Sequence, residues 1–269
     1  MNEQIEHLFD KLWQQYITLN PTANKIHQLL KDKSKGSLLN DHIALRTFNL
    51  KPFGVDQLAR DFISLGYKEK GEYNFKVKKL YAKHFEHEDK TIPKVFISEL
   101  QVEKFSPELQ DVFANIAKTV PLETVNSKGF SHSGVHWGRD YETYQKLNQE
   151  SPYAAWLYAF GYCANHFTIF FNSIKDFKAL DDLNVFLKTN GFTLNSSGGE
   201  IKGSPELFLE QSSTLAAKMI IPFSDGEQSV PSCYYEFARR YPKEDGQLYQ
   251  GFVTGSADKI FESTNKSMS

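Results

Sequence analysis

Two histidines and one glutamate carry the strongest chemical signal in this sequence. His42 sits at the start of the run DHIALRTFN (residues 41–49), and His166 at the start of a fainter echo, NHFTIFF (165–171). Each follows a short polar residue and leads into β-branched and aromatic residues of the kind that build strands. Successive side chains of a strand point to opposite faces. His42, Ala44 and Arg46 therefore share one face, and His166, Thr168 and Phe170 share one face of the second strand. Glu236 lies in a third such run, SCYYEFARR (232–240). Two imidazoles and a carboxylate on three strands form the facial set of non-haem Fe(II) enzymes, which leaves adjacent coordination positions open. A 2-oxo acid can fill two of these and O2 a third.

Arg46 follows His42 by four residues on the same face, and its planar fork suits bidentate contact with a carboxylate. Two readings stand: a substrate carboxylate, or a salt bridge to Asp41 or Glu99. Glu99, in KVFISELQ (94–101), reads as the counterpart of Glu236, and is either a fourth ligand or the partner of a lysine or arginine. His84 and His87 form an H-x-x-H pair in a charged turn and read as surface.

The elements that must position these residues occur twice. After Asn49, the residues Val55, Leu58, Phe62 and Leu65 keep helical spacing up to Gly66; after Asn172, Phe177, Leu180, Leu183, Phe186 and Leu187 do so up to Gly191. Both stretches return to strand-like sequence and reach a strand bearing a glutamate. Such an internal repeat sets the fold class. It is α+β, with paired βαβββ units forming a curved, barrel-like sheet and added helices. The chain divides into an N-terminal helical pair (1–37), a first unit (38–125), a helical connector (126–164), a second unit (165–241) and a polar tail (242–269) whose last few residues are expected to fray. Ser106-Pro107-Glu108 and Ser151-Pro152 are helix starts, each with a capping serine and proline at the first helical position.

A net charge of −2 over 269 residues offers no footprint for nucleic acid or an anionic membrane. Two cysteines make neither a disulfide framework nor a thiolate zinc site. The polar, acidic start has no apolar leader core, and no run approaches the ~20 apolar residues of a membrane span. The expected compartment is the cytoplasm. The 22 Phe and 13 Tyr favour a sheet-rich core or an aromatic-lined cavity.

The segments DHIALRTF, SPYAAWLYAFGYCANHFT and YYEFARR resemble the 2-oxoadipate dioxygenase/decarboxylases, also called hydroxyglutarate synthases, over about residues 38–241. That resemblance implies a vicinal oxygen chelate-like fold around one Fe(II), with a small dicarboxylic 2-oxo acid and O2 as partners. It matches His42, His166 and Glu236 to the iron ligands and Arg46 to a catalytic contact with a substrate carboxylate, so His42 and Arg46 face the substrate. The implied reaction turns 2-oxoadipate into 2-hydroxyglutarate and CO2. Longer relatives carry extra segments that enclose substrate, so a looser pocket is expected here. The rival readings are a metal-dependent lyase or isomerase of the same fold that does no redox chemistry, and a metal-free module binding a small ligand. Whether the chain forms a homo-oligomer stays open.

Overall fold

The computed structural model describes residues 3–34 and 38–264. Helix α1 (Glu3–Leu19) buries Ile5, Leu8, Leu12 and Tyr16 on one stripe, as a 3.6-residue period requires. It stops at Asn20, and α2 (Pro21–Ser34) follows at once. The first unit then runs β1 (Asn40–Phe48), α3 (Val55–Ile63), β2 (Lys68–Phe75), β3 (Leu80–Glu86) and β4 (Lys94–Leu100). The connector holds α4 (Pro107–Thr119), the short α5 (Leu122–Val125), α6 (Tyr141–Glu150) and α7 (Pro152–Phe160). The second unit is β5 (Ala164–Phe170), α8 (Leu180–Thr189), β6 (Lys202–Ser204), β7 (Leu209–Ser213) and, after a separate hairpin of β8 (Lys218–Phe223) and β9 (Gly226–Pro231), β10 (Tyr234–Arg240).

One eight-stranded sheet, ordered β2-β3-β4-β1-β5-β10-β7-β6, curls into a half-barrel. Its two halves repeat one plan. In the first, β1 pairs parallel with β4; in the second, β5 pairs parallel with β10; the halves meet where β1 runs antiparallel to β5. The paired βαβββ reading of the sequence describes this sheet.

Helices cover the outer face. Trp13 of α1 meets Phe167 of β5 edge-on at 5.0 Å, and the Tyr16 hydroxyl donates to the Tyr234 carbonyl at 2.5 Å. Alternation then sends His166 and Thr168 inward. Helix α7 is apolar all round and buried from Tyr153 to Phe160, which fits a helix enclosed by the fold rather than one at its surface. Ser151 caps it by accepting from Ala154 N at 3.2 Å. Gly161 ends it at φ 61°, where a Cβ would collide with the Gly134 carbonyl. Only glycine fits that turn, which feeds the chain into β5.

Two expectations need correction, and one region gains structure that the sequence did not reveal. His84 is no loop residue; it lies in β3, 3% exposed, because alternation turns it inward. Glu99 is not the structural counterpart of Glu236. In the register, Ala44 pairs with Phe96 as Thr168 pairs with Glu236, so Phe96 takes the matching inward place. Glu99 faces outward, where its Oε2 accepts from Val55 N at 2.8 Å and caps α3. The tail, read from sequence only as polar and mostly small, carries structure of its own. It forms α9 (Thr254–Phe261) and buries Phe252 and Ile260 against the sheet; residues 265–269 lie outside the described part.

Candidate metal centre

The two-residue period of the strands and the register between them bring distant residues together. His42 stands opposite Thr168 across the β1–β5 seam, and Glu236 stands opposite Thr168 from β10. One ligand atom each from His42, His166 and Glu236 lie within 4.8 Å of one another, the one such cluster among the described residues. His42 Nε2 is 3.6 Å from Glu236 Oε1, and His166 Nε2 is 3.4 Å from Glu236 Oε2. All three side chains are buried.

The neighbours fix which nitrogen faces inward. His42 Nδ1 lies 2.8 Å from Asp41 Oδ1. A carboxylate only accepts, so Nδ1 carries the proton and Nε2 offers its lone pair to the centre. His166 repeats the device with Asn165 Oδ1 at 3.1 Å from its Nδ1. Burial pushes the His42 imidazole below its usual range, partly offset by Asp41. Burial, with His42 and Arg46 nearby, pushes His166 well down. Both rings are therefore neutral, as ligands must be.

Glu236 is the strained member. Burial raises its carboxyl to about 8, against the pull of a hydrogen bond from Gln211, whose Nε2 donates to Oε1 at 2.6 Å. Glu236 Oε2 and Gln211 Oε1 are buried without a hydrogen-bond partner, which ordinarily costs stability. A divalent cation held by the three side chains would offset that penalty, since it would favour the carboxylate and give the unpaired oxygen a partner. Two neutral imidazoles and one carboxylate fit such an ion.

Asp41 is itself held ionised. Burial works to raise its carboxyl, but the charges of Arg240 and Lys94, with hydrogen bonds from Arg240 and His42, hold it well below the usual range. Arg46 lies buried on the same inner face, its guanidinium carbon 4.8 Å from the ring centres of Tyr153 and of Trp156. Its charge faces the Tyr234 hydroxyl, and the Tyr234 ring stacks on His166 at 4.5 Å. Of the two carboxylates considered for Arg46 from sequence, Asp41 pairs with Arg240 and His42, and Glu99 accepts from Val55 N at the start of α3.

A family model described as 2-oxoadipate dioxygenase/decarboxylase matches residues 4–126 and 132–243. The chain belongs to this family. A rice 2-oxoadipate dioxygenase/decarboxylase, chloroplastic/amyloplastic, is 36% identical over 93% of this chain and 76% of its own length. A chloroplastic relative from Arabidopsis thaliana is 34% identical, over 93% of this chain and 74% of its own length. Among solved structures, the rice hydroxyglutarate synthase in complex with 2-oxoadipate superposes with a TM-score of 0.91 at 34% identity, covering 99% of this chain and 94% of that one. A Shewanella frigidimarina protein, provisionally called a hydrolase, is 53% identical with a TM-score of 0.88, covering 93% of this chain and 98% of that one. A Ralstonia eutropha glyoxalase-superfamily protein, 19% identical at a TM-score of 0.74 over 93% of this chain and 86% of its own, shares the fold.

Sequence reasoning passed over several residues that shape this family member's centre. Asp41 and Asn165 were visible as the short polar residue before each histidine, yet their role in fixing the tautomer needs the side-chain geometry. Thr168, whose hydroxyl is 3.1 Å from His42 Nε2, was placed on the right face but given no role. Gln211 and Phe96 had no local signal. The pocket at the centre is lined by His42, Phe96, His166, Gln211, Tyr234, Glu236, Phe252 and Ile260, with about 20 Å³ of space, room for about one water molecule. The expected looser pocket is not what the fold presents, because the C-terminal segment closes it.

Proposed function

We propose that this protein is an Fe(II)-dependent dioxygenase that decarboxylates a small dicarboxylic 2-oxo acid, converting 2-oxoadipate and O2 to 2-hydroxyglutarate and CO2. The observation that carries the reading is the buried His42–His166–Glu236 cluster on the same sheet face as Arg46, in a chain of the family described above. His42, His166 and Glu236 would hold the ion, which when bound supplies a chelating site for the oxo acid and redox chemistry with O2.

The rest is work for the protein's own side chains. Asp41 and Asn165 keep the two imidazoles in the ligating tautomer. Arg46 would take a substrate carboxylate in its fork, and the nearby rings of Tyr153 and Trp156, both from α7, help hold that fork in place. Phe96, Tyr234, Phe252 and Ile260 line the centre with carbon. Excluding water protects a reactive oxidising centre from side reactions.

The test is anaerobic reconstitution with Fe(II), then addition of 2-oxoadipate and air with no other oxo acid present. One O2 consumed per CO2 released, with 2-hydroxyglutarate as product, is the expected result. Turnover without O2, whether isomerisation, carbon–carbon cleavage or hydrolysis, would overturn the assignment, as would a strict need for a second oxo acid.

A further inference from the structure

Phe252 lies over the centre, its ring 4.8 Å from that of His42 and edge-on to it. The backbone leading to it is held by the buried Arg240, while Phe252 N itself donates to the Tyr73 hydroxyl at 3.2 Å. Arg240 Nη1 donates to the carbonyls of Tyr249 and Gly251, both at 2.9 Å. On its other side the same guanidinium grips Asp41: Nε donates to Oδ2 at 2.5 Å and Nη2 to Oδ1 at 2.8 Å. Asp41 Oδ1 is the oxygen that orients His42. Arg240 is 2% exposed, and its own backbone is pinned to the Asn172 side chain through N–H and C=O.

This is a short physical path. Strap backbone, guanidinium, carboxylate and imidazole follow one another through hydrogen bonds, and the ring carried by the strap closes the loop on the same imidazole. We infer that Arg240 is a positioning residue that couples closure of the 249–261 strap over the centre to the orientation of His42 as a metal ligand. The inference rests on the metal reading above and goes beyond it. Only an arginine can serve both sides, because its planar fork presents donors in two directions at once, whereas a lysine offers one point charge. The strap must also move during the working cycle. With Phe252 and Ile260 in place the centre has about 20 Å³, less than a six-carbon diacid occupies, so loading substrate displaces the strap and pulls on Arg240.

Coupling is reciprocal: if the seated strap favours the metal, the metal favours the seated strap by the same factor. Zn2+ binding to the full chain therefore slows amide hydrogen exchange over 249–261 in the wild type. In Arg240→Lys, Zn2+ affinity measured against a chromophoric chelator falls about 10- to 100-fold, the usual effect of losing a partner that orients a ligand, and Zn2+ no longer slows exchange in the strap. The visible absorption of the Co2+-loaded variant changes as His42 loses its fixed orientation, a signature that general loosening of the fold does not produce. Phe252→Ala leaves Asp41, His42 and Arg240 intact and supplies the second arm: by reciprocity it weakens Zn2+ binding while protection of the strap is lost. Wild-type Zn2+ affinity in Arg240→Lys, or in Phe252→Ala with the strap shown to be open, overturns the coupling while leaving the metal assignment standing. A wild type that binds no divalent ion overturns both. If Arg240→Lys does not fold, Phe252→Ala decides alone: weakened Zn2+ binding upholds the coupling, and wild-type affinity with an open strap overturns it.

Discussion

Arg46 is where one side chain decides between binding and structure. Its guanidinium is buried with its carbon 4.8 Å from each of two aromatic ring centres, on the face that carries the candidate metal ligands. Arg46→Lys keeps a charge and loses the fork. If Arg46 holds a substrate carboxylate, kcat/KM falls about 10- to 100-fold, the worth of roughly 1.5–3 kcal/mol for a charged hydrogen bond, and metal content stays at the wild-type value. A variant with unchanged KM but a lower Tm would mean that Arg46 serves packing alone. The His42, His166 and Glu236 positions were legible from residue type and strand phase. Their neighbours were not, because Gln211, Phe96 and Arg240 reach the centre through register between strands, which no local pattern encodes.

At the scale of the strand, the fold distinguishes two glutamates that look alike in sequence. Both sit in alternating strands that close a repeat, yet they differ by one residue in phase, and one residue of phase reverses the face. Glu99→Gln tests this directly. The variant should bind metal like the wild type and lose about 1 kcal/mol of stability from the weakened cap on α3; reduced metal affinity would restore Glu99 to the centre. Strand β6 allows a second test. Lys202 is 4% exposed, donates to the Asn195 carbonyl at 2.5 Å, and burial pushes its ammonium down to about 8. An unfolded lysine titrates near about 10.4, so between these values the unfolded chain holds the extra proton and stability rises with pH. From about pH 7 to about pH 9.5 the wild type should gain about 2 kcal/mol relative to Lys202→Met, measured by urea unfolding. Parallel curves for the two proteins would show that the ammonium stays hydrated. Helices α1, α3, α4, α7 and α8 were readable from their stripes and caps, since those signals are local. The C-terminal strap and its helix α9 were missed because the buried anchors, Phe252 before the helix and Ile260 within it, sit among small and polar residues and gain meaning only from the pocket they cover.

Across the whole molecule, the centre lies on the seam between the repeated halves. His42 comes from the first half, His166 and Glu236 from the second, and β1 and β5 carry the contact between them. A metal ion held there would bridge two units that already meet through the β1–β5 pair, the helices behind it and the Arg240–Asp41 ion pair. An ion that binds only the folded chain adds about 2.7 kcal/mol of stability at a concentration of one hundred times Kd. For a chain of this size that corresponds to a rise in Tm of roughly 5–10 °C. Scanning calorimetry of chelator-treated protein, with and without Zn2+ or anaerobic Fe(II), should show that rise as one cooperative transition moving upward. His42→Ala removes a ligand from one half and His166→Ala from the other, and each should abolish most of the shift. Glu99→Gln should keep it whole. If His42→Ala retained the full shift, the ion would belong to the second half alone, and a centre shared across the seam would be ruled out.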